Sequence, residues 1–214
     1  MVADEAIEAE LRGAADRLAA KSFLGPSDRL SMRVPERQAF VMLGLDVASG
    51  ARRCDWGRLA DAPRGLHDRI YAARPDVGAI FSGGLRWSSA LCRLDLSMPA
   101  VFDEQVRHLG VEACRLAIGA EADGPLPALS NGANAYLLDD AALCLGMGLE
   151  RLLQNIEILE KCAESYALAA SAGGTVRRIP WLVRYIANGR LRKDQKDAAA
   201  RHLRGERSVP KGSY

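Results

Sequence analysis

The sequence has few of the residues on which metal sites and disulfide frameworks depend. It contains three histidines in 214 residues, and its five cysteines are odd in number and at least 18 positions apart. This spacing predicts free, buried thiols rather than disulfides or a cysteine metal site. Long apolar runs are also lacking, and the first 23 residues are acidic, whereas a signal peptide begins with basic residues. We therefore expect a cytoplasmic protein.

The charge is divided unevenly along a chain of ordinary globular composition, which is 49% apolar and 26% charged. Residues 1–174 carry 18 basic and 24 acidic side chains, net −6, whereas residues 175–214 carry 11 and 3, net +8. We predict a main domain over 1–174 and a basic helical extension over 175–214. The apolar and aromatic content of 177–187 predicts that the extension docks on the main domain or on a neighbouring subunit. Attachment to a membrane surface or to nucleic acid is the less favoured alternative.

Hydrophobic periodicity divides the main domain into short strands and helices. Helices are predicted over 4–22, 63–74, 85–93, 111–118 and 149–170, and strands over 31–34, 39–43, 77–81, 100–102 and 135–138. The run at 77–81 is apolar on both faces, which predicts a central strand. Short strands between helices, followed by one long helix, predict an α/β protein with three α/β/α layers and a mixed sheet.

Three sequence segments occur in a recognisable order. They are SMRVP at 31–35 with VASG at 47–50, LHDRIYAARPDVGAI at 66–80, and a final helix with Glu150, Glu157, Glu160 and Tyr166. Together they resemble the class II aldolase/adducin family over about residues 8–170. The resemblance implies a three-layer α/β/α fold around a mixed, largely antiparallel sheet. It also implies a homo-oligomer, a tetramer with its sites between subunits.

Enzymes of that family hold zinc with three imidazoles and move the proton with a nearby carboxylate. The resemblance aligns the His-x-His pair with Ser82 and Gly84, the third histidine with Asp140 and the carboxylate with Pro63. Glycine has no ligand atom in its side chain, serine is a poor zinc ligand and proline cannot transfer a proton. The family's zinc is therefore not expected in this chain, and no other cofactor is predicted.

Several other residues are candidates for a rebuilt acid–base site. Asp103, Glu104 and His108 are close together in the sequence, and Asp140 is a further carboxylate. These four are our candidate catalytic residues. The alternative for the first three is ordinary charge placement along a helix, and the alternative for Asp139-Asp140 is a polar turn between strands.

A second group of residues predicts anion binding. Ser82-Gly83-Gly84 follows the central strand, with Arg86 at the start of a helix, and Ser49-Gly50 matches an anion-binding loop of the family. These residues favour a small carboxylate or phosphate as ligand, although a tight strand-to-helix turn would also need the glycines. In the turn at 25–29, by contrast, Asp28 would repel a phosphate dianion.

The histidines limit the chemistry further. We expect His67 to have a packing or hydrogen-bonding role and His202 to be solvated. No histidine can be assigned beside Ser82, so nucleophilic catalysis by this serine is not predicted.

Two functions are compatible with these patterns. The first is a non-catalytic, zinc-free binding or scaffold protein that is oligomeric. The alternative is a lyase of the aldolase or decarboxylase type, acting on a small oxo or hydroxy acid or a sugar phosphate. In it Arg86 would hold a carboxylate while Asp103, Glu104, His108 and Asp140 move protons. The replaced residues at positions 63, 82, 84 and 140 favour the first function.

Overall fold

A computed structural model describes residues 2–45, 51–116, 127–173 and 175–209 of the chain. The helices are α1 (Val2–Ala20), α2 (Leu66–Ala73), α3 (Arg86–Arg93), α4 (Asp103–His108), α5 (Leu149–Ser171) and α6 (Trp181–Leu203). The strands are β1 (Arg29–Val34), β2 (Ala39–Leu45), β3 (Arg52–Arg58), β4 (Ala79–Gly83), β5 (Cys114–Arg115), β6 (Ala135–Leu137) and β7 (Ala142–Gly146).

The described strands form one seven-stranded sheet in the order β3-β2-β1-β4-β7-β6-β5. Neighbours pair antiparallel except β5 and β6, which are parallel. The predicted central strand is β4, in the middle of this order, and its apolar residues are covered on both faces. The expectation of a mixed, largely antiparallel sheet is confirmed.

The alternation of side chains along the strands builds a core on each face of the sheet. Phe81 of β4 joins a cluster with residues of α1, α3 and α5, whereas the adjacent Ile80 joins a second cluster with residues of α2. Likewise β1 directs Leu30 and Met32 to the first cluster and Ser31 to the α2 side. The three-layer α/β/α architecture is therefore confirmed, and it brings polar side chains of β1 under α2.

Local predictions fail in the segment between α3 and β6. Residues 100–102 do not form a strand, and residues 111–116 do not form a helix. Instead, α4 begins at Asp103, and Met98 pairs with Ala113 in an isolated antiparallel bridge. Strand β3 was not predicted, because its exposed positions carry charged residues at the sheet edge and give no apolar run.

A buried ion pair follows the C-terminal end of α2. Arg74 donates to both carboxylate oxygens of Asp76, at 2.8 and 2.7 Å, and to the carbonyl of Ala133 at 2.9 Å. It also donates to the side-chain oxygen of Asn134, which accepts a further bond from Gln195 of α6. The Arg-Pro-Asp sequence thus links α2, the segment before β6 and the extension.

Within the extension, α6 runs without a break through Asn188-Gly189. Its second half packs on the main domain through Leu191, Ala198 and His202. The expectation of a solvated His202 is wrong: it is 5% exposed, and its Nδ1–H donates to the carbonyl of Pro75 at 2.8 Å. The first turns of α6, by contrast, expose Trp181, Leu182, Tyr185 and Ile186.

Candidate functional site

A cleft of about 370 Å³ lies where β1 begins, β4 ends and α2 starts. Its lining includes Ser82, Gly83, Gly84 and Asp140, the positions at which the sequence predicted a site. The remaining lining residues come from the turn before β1 and its first residue, from β2, from the start of α2 and from the β6–β7 turn: Ser27, Asp28, Arg29, Met42, Gly65, Leu66, His67, Asp68, Leu138 and Ala141. The topology therefore brings Ser82 of β4 and Gly84, which follows β4, to the same cleft as Asp140, 56 residues later; these are the three positions that the family resemblance aligns with zinc ligands.

A chain of hydrogen bonds runs from this cleft into the core. Ser82 Oγ lies 2.9 Å from His67 Nε2, and His67 Nδ1 lies 2.7 Å from Ser31 Oγ. Ser31 Oγ is in turn 2.9 Å from the hydroxyl of Tyr71. The prediction that no histidine stands beside Ser82 is wrong. The sequence placed His67 and Tyr71 four residues apart on one face of a predicted helix, but this spacing does not show that the face meets Ser82.

His67 is electrically neutral under ordinary conditions. It is 3% exposed, and burial, followed by the positive charge of Arg29, lowers the pKa of His67 to about 3. No carboxylate accepts a hydrogen bond from either ring nitrogen among the described residues. A buried imidazolium would therefore be costly here, and the ring makes a poor general base.

Asp28 takes up the backbone donors at the mouth of the cleft. Its carboxylate accepts from the N–H of Gly25 at 2.6 Å and from the N–H of Gly84 at 3.0 Å, and the residue is 3% exposed. Gly83 permits this approach, because a Cβ at that position would overlap the Asp28 carboxylate. The N–H groups of Gly25 and Gly84, which could have bound an anionic ligand, are thus already bonded to the protein's own carboxylate.

The backbone N–H groups at the start of α3 also donate to a carboxylate of the protein. Glu160 of α5 accepts from the N–H groups of Trp87 and Ser88 at 2.9 and 2.8 Å, and from the hydroxyl of Ser88. Arg86 is exposed, stacks over Trp87 and does not belong to the cleft lining. Ser49-Gly50, the other predicted anion-binding pair, lies outside the described residues.

The three candidate acid–base residues of α4 lie away from the cleft lining. Glu104 pairs with Lys161, and Asp103 accepts from the N–H of Glu104. His108 lies against Arg151, and burial, then the charges of Arg151 and Arg107, lower the pKa of His108 to about 4. Asp140 is thus the one candidate catalytic residue in the cleft, exposed in the polar turn between β6 and β7.

The donor set of the cleft does not fit zinc. Ser82 offers a hydroxyl, Gly84 offers no side chain, and both ring nitrogens of His67 are committed to serine hydroxyls. Within residues 2–45, 51–116, 127–173 and 175–209, no three His, Cys, Asp or Glu side chains come together in a group that could hold a metal ion. Pro63, at the expected carboxylate position, lies in the coil before α2.

The architecture is that of the class II aldolase fold. An L-fuculose 1-phosphate aldolase superposes with a TM-score of 0.65 over 86% of this chain and 95% of its own, at 19% identity. YgbL from Escherichia coli superposes with a TM-score of 0.70 over 87% and 99%, at 17% identity. An aldolase II superfamily protein from Pseudomonas syringae gives 0.58 over 94% and 95%, at 18% identity. No protein-family model and no curated protein sequence matches the chain.

The helices of the described segments were also assessed as membrane spans. None of them combines the length and the apolar character needed to cross a bilayer.

Proposed function

We propose that this chain is a metal-independent binding protein built on the class II aldolase fold, and that it works as a homo-oligomer. One observation carries the proposal. The three positions expected to hold zinc ligands open onto one cleft, yet they present a hydroxyl, a hydrogen atom and an exposed carboxylate. Zinc sites of catalytic type need three strong donors at fixed geometry.

The rebuilt lyase receives less support. Its candidate residues Asp103, Glu104 and His108 contact α5 or their own helix and are absent from the cleft lining that contains Asp140. Groups that transfer protons to one substrate must lie within hydrogen-bonding reach of it. Arg86, the residue assigned to hold a substrate carboxylate, stands outside the cleft lining as well.

Metal content and turnover test the proposal. After equilibration with micromolar zinc and gel filtration, we expect the purified protein to retain far less than one zinc per chain by elemental analysis. We also expect no cleavage of sugar phosphates above the buffer rate. Stoichiometric zinc that is lost in His67→Gln, together with turnover abolished by chelation, would contradict the proposal.

The exposed start of α6 supports self-association. Trp181 and Tyr185 are 68% and 74% exposed, so their two rings alone present roughly 300 Å², given about 150–250 Å² per aromatic side chain. Exposed apolar patches beyond a few hundred Å² mark interaction sites. A second copy is the occupant that the charges favour, because the extension is net +8 and the main domain net −6.

Oligomer size with a matched control tests this part. We expect light scattering to give a mass above the 23.1 kDa of one chain. The double variant Trp181→Ser/Tyr185→Ser should shift to the monomer, whereas Leu203→Ser, equally exposed at the other end of α6, should not. A monomeric wild type, or a double variant of unchanged mass, would refute the assignment.

A further inference from the structure

The hydrogen bonds that link Tyr71, Ser31, His67 and Ser82 have a donor-to-acceptor direction. The burial of Tyr71 and Ser31 decides that direction. Ser31 is 0% exposed and Tyr71 2% exposed, so solvent does not satisfy their hydroxyl groups. A neutral imidazole carries one N–H, on Nδ1 or on Nε2. The two choices differ in whether every buried hydroxyl proton finds an acceptor.

The first choice leaves a buried donor without a partner. If Nδ1 carries the proton, it donates to Ser31, and Ser31 donates to the phenol oxygen of Tyr71. The phenol proton then has no hydrogen-bond acceptor among the described residues; if Tyr71 instead donates to Ser31, the Ser31 proton is the one left without an acceptor there. A buried donor without an acceptor is strongly disfavoured.

The second choice satisfies every buried donor. Tyr71 donates to Ser31, Ser31 donates to Nδ1 of His67, and Nε2–H donates to Ser82 Oγ. The hydroxyl proton of Ser82 is then available for a ligand in the cleft, because this half-buried side chain belongs to the cleft lining. Ser82 acts in this arrangement as a hydrogen-bond donor, and His67 does not activate it as a nucleophile.

The charges around the cleft favour an uncharged partner for this donor. Among the described residues that line the cleft, three are carboxylates, Asp28, Asp68 and Asp140, and one is a cation, Arg29. Asp28 already holds the N–H of Gly25 and Gly84, and Asp68 accepts from the N–H of Arg64. A phosphate or carboxylate would meet net negative charge and few open backbone donors.

We propose that the cleft binds an uncharged polyhydroxylated compound, such as an unphosphorylated sugar, and that Ser82 donates its hydroxyl proton to a carbonyl or hydroxyl oxygen of that compound. This proposal rests on the proposed function and specifies its ligand class. It replaces the expectation of an anionic ligand with one that the described charges support.

The direction of the chain can be tested without any ligand. Nitrogen-15 NMR of histidine-labelled full-length protein distinguishes the two tautomers and the charged ring. We expect His67 to be neutral with its proton on Nε2 throughout pH 5–8. A proton on Nδ1, or a charged ring in this range, would overturn the assignment of Ser82 as a donor.

A paired ligand panel tests the ligand class. Free aldoses and ketoses of four to six carbons would be compared with their monophosphates by thermal shift, followed by calorimetry on those that bind. We expect a free sugar to raise the unfolding midpoint and its monophosphate to bind at least about tenfold more weakly. Ser82→Ala should weaken the sugar by about fivefold, the worth of one neutral hydrogen bond.

The matched control for this variant is Ser165→Ala, on the exposed surface of α5. It should leave binding unchanged. Tighter binding of the phosphates or no binder in the panel would reject the ligand class, and unchanged binding in Ser82→Ala would reject the donor role of Ser82. The zinc content of the purified protein tests the proposed function separately. Failure of the ligand class can therefore be distinguished from failure of the proposed function.

Discussion

The two ends of helix α2 bury polar groups by opposite means. Beyond its C-terminal end, Arg74 and Asp76 form a charged pair that is closed off from solvent and bonded on all sides. At its N-terminal end, His67 belongs to a chain of neutral groups that ends in the cleft. A buried pair of opposite charges with all its hydrogen bonds made holds the layers together. A series of uncharged groups that ends at the cleft is suited instead to bind a ligand. The first three predictions below test this contrast, and the fourth compares the buried charged pair with an exposed one.

The largest expected effect is on the charged end. Arg74→Ala leaves the buried carboxylate of Asp76 without its partner, which costs about 3–5 kcal/mol in the free energy of unfolding. Urea denaturation followed by circular dichroism measures this loss. The double variant Arg74→Ala/Asp76→Ala should be less destabilised than the sum of its two single variants, because it removes the unpaired charge. Strict additivity would show that the pair is not coupled.

A methyl group tests the packing at the cleft. In Gly83→Ala the new Cβ overlaps the Asp28 carboxylate, which must move and weaken its bonds to Gly25 and Gly84. Overpacking typically costs about 1–3 kcal/mol, and we expect the upper part of that range by urea denaturation. Gly84→Ala is the matched control, because its Cβ would meet nothing within 4 Å and should change stability by less than about 0.5 kcal/mol. Equal effects of the two variants would refute this account.

The neutral end should make stability dependent on pH. The pKa of His67 is about 3 in the folded protein, below the ordinary 6.5, so the unfolded chain binds more protons between these values. This contribution is fully present above pH 6.5 and is lost as the pH falls towards 3, by about 2 kcal/mol between pH 7 and 5. His67→Gln should remove that part of the slope when urea unfolding is repeated at each pH. An unchanged slope would place the titration on another group.

An exposed ion pair should give the smallest effect. Arg17 of α1 donates to Glu150 of α5, with both side chains more than half exposed. Solvent screening limits such pairs to about 0.2–1 kcal/mol, so Arg17→Ala should shift the urea midpoint slightly. Raising the salt concentration should narrow the difference from wild type. A loss as large as that of Arg74→Ala would mean that burial does not distinguish the two pairs.

The regular elements were predictable wherever hydrophobic periodicity was strong. The long helix at Leu149–Ser171 and the strands β1 and β2 follow from the local hydrophobic pattern. The pattern failed at β3, whose strand is stabilised by pairing with β2 at the sheet edge rather than by burial of its own side chains. It failed again near Ala113, where pairing with Met98 overrides the local helical signal.

The candidate site was predictable in part. The positions of Ser82, Gly84 and Asp140 could be taken from the order of motifs, and the structure brings all three to one cleft. The bond between His67 and Ser82 could not be read from local pattern, because it joins a helix to a strand 15 residues later across the sheet layer. The use of Asp28 as an internal partner of Gly84 is likewise a contact between distant segments.

The sequence by itself determined the class of fold, the uneven charge of its two parts and the absence of histidine at the three positions aligned with zinc ligands, because composition, periodicity and the order of motifs are properties of the sequence. Tertiary structure alone decided which polar groups meet. Hydrogen bonds form over about 3 Å, and only the stacking of α2 on the sheet brings Tyr71, Ser31, His67 and Ser82 within that range. Which of these groups donates and which accepts follows from the burial of Tyr71 and Ser31.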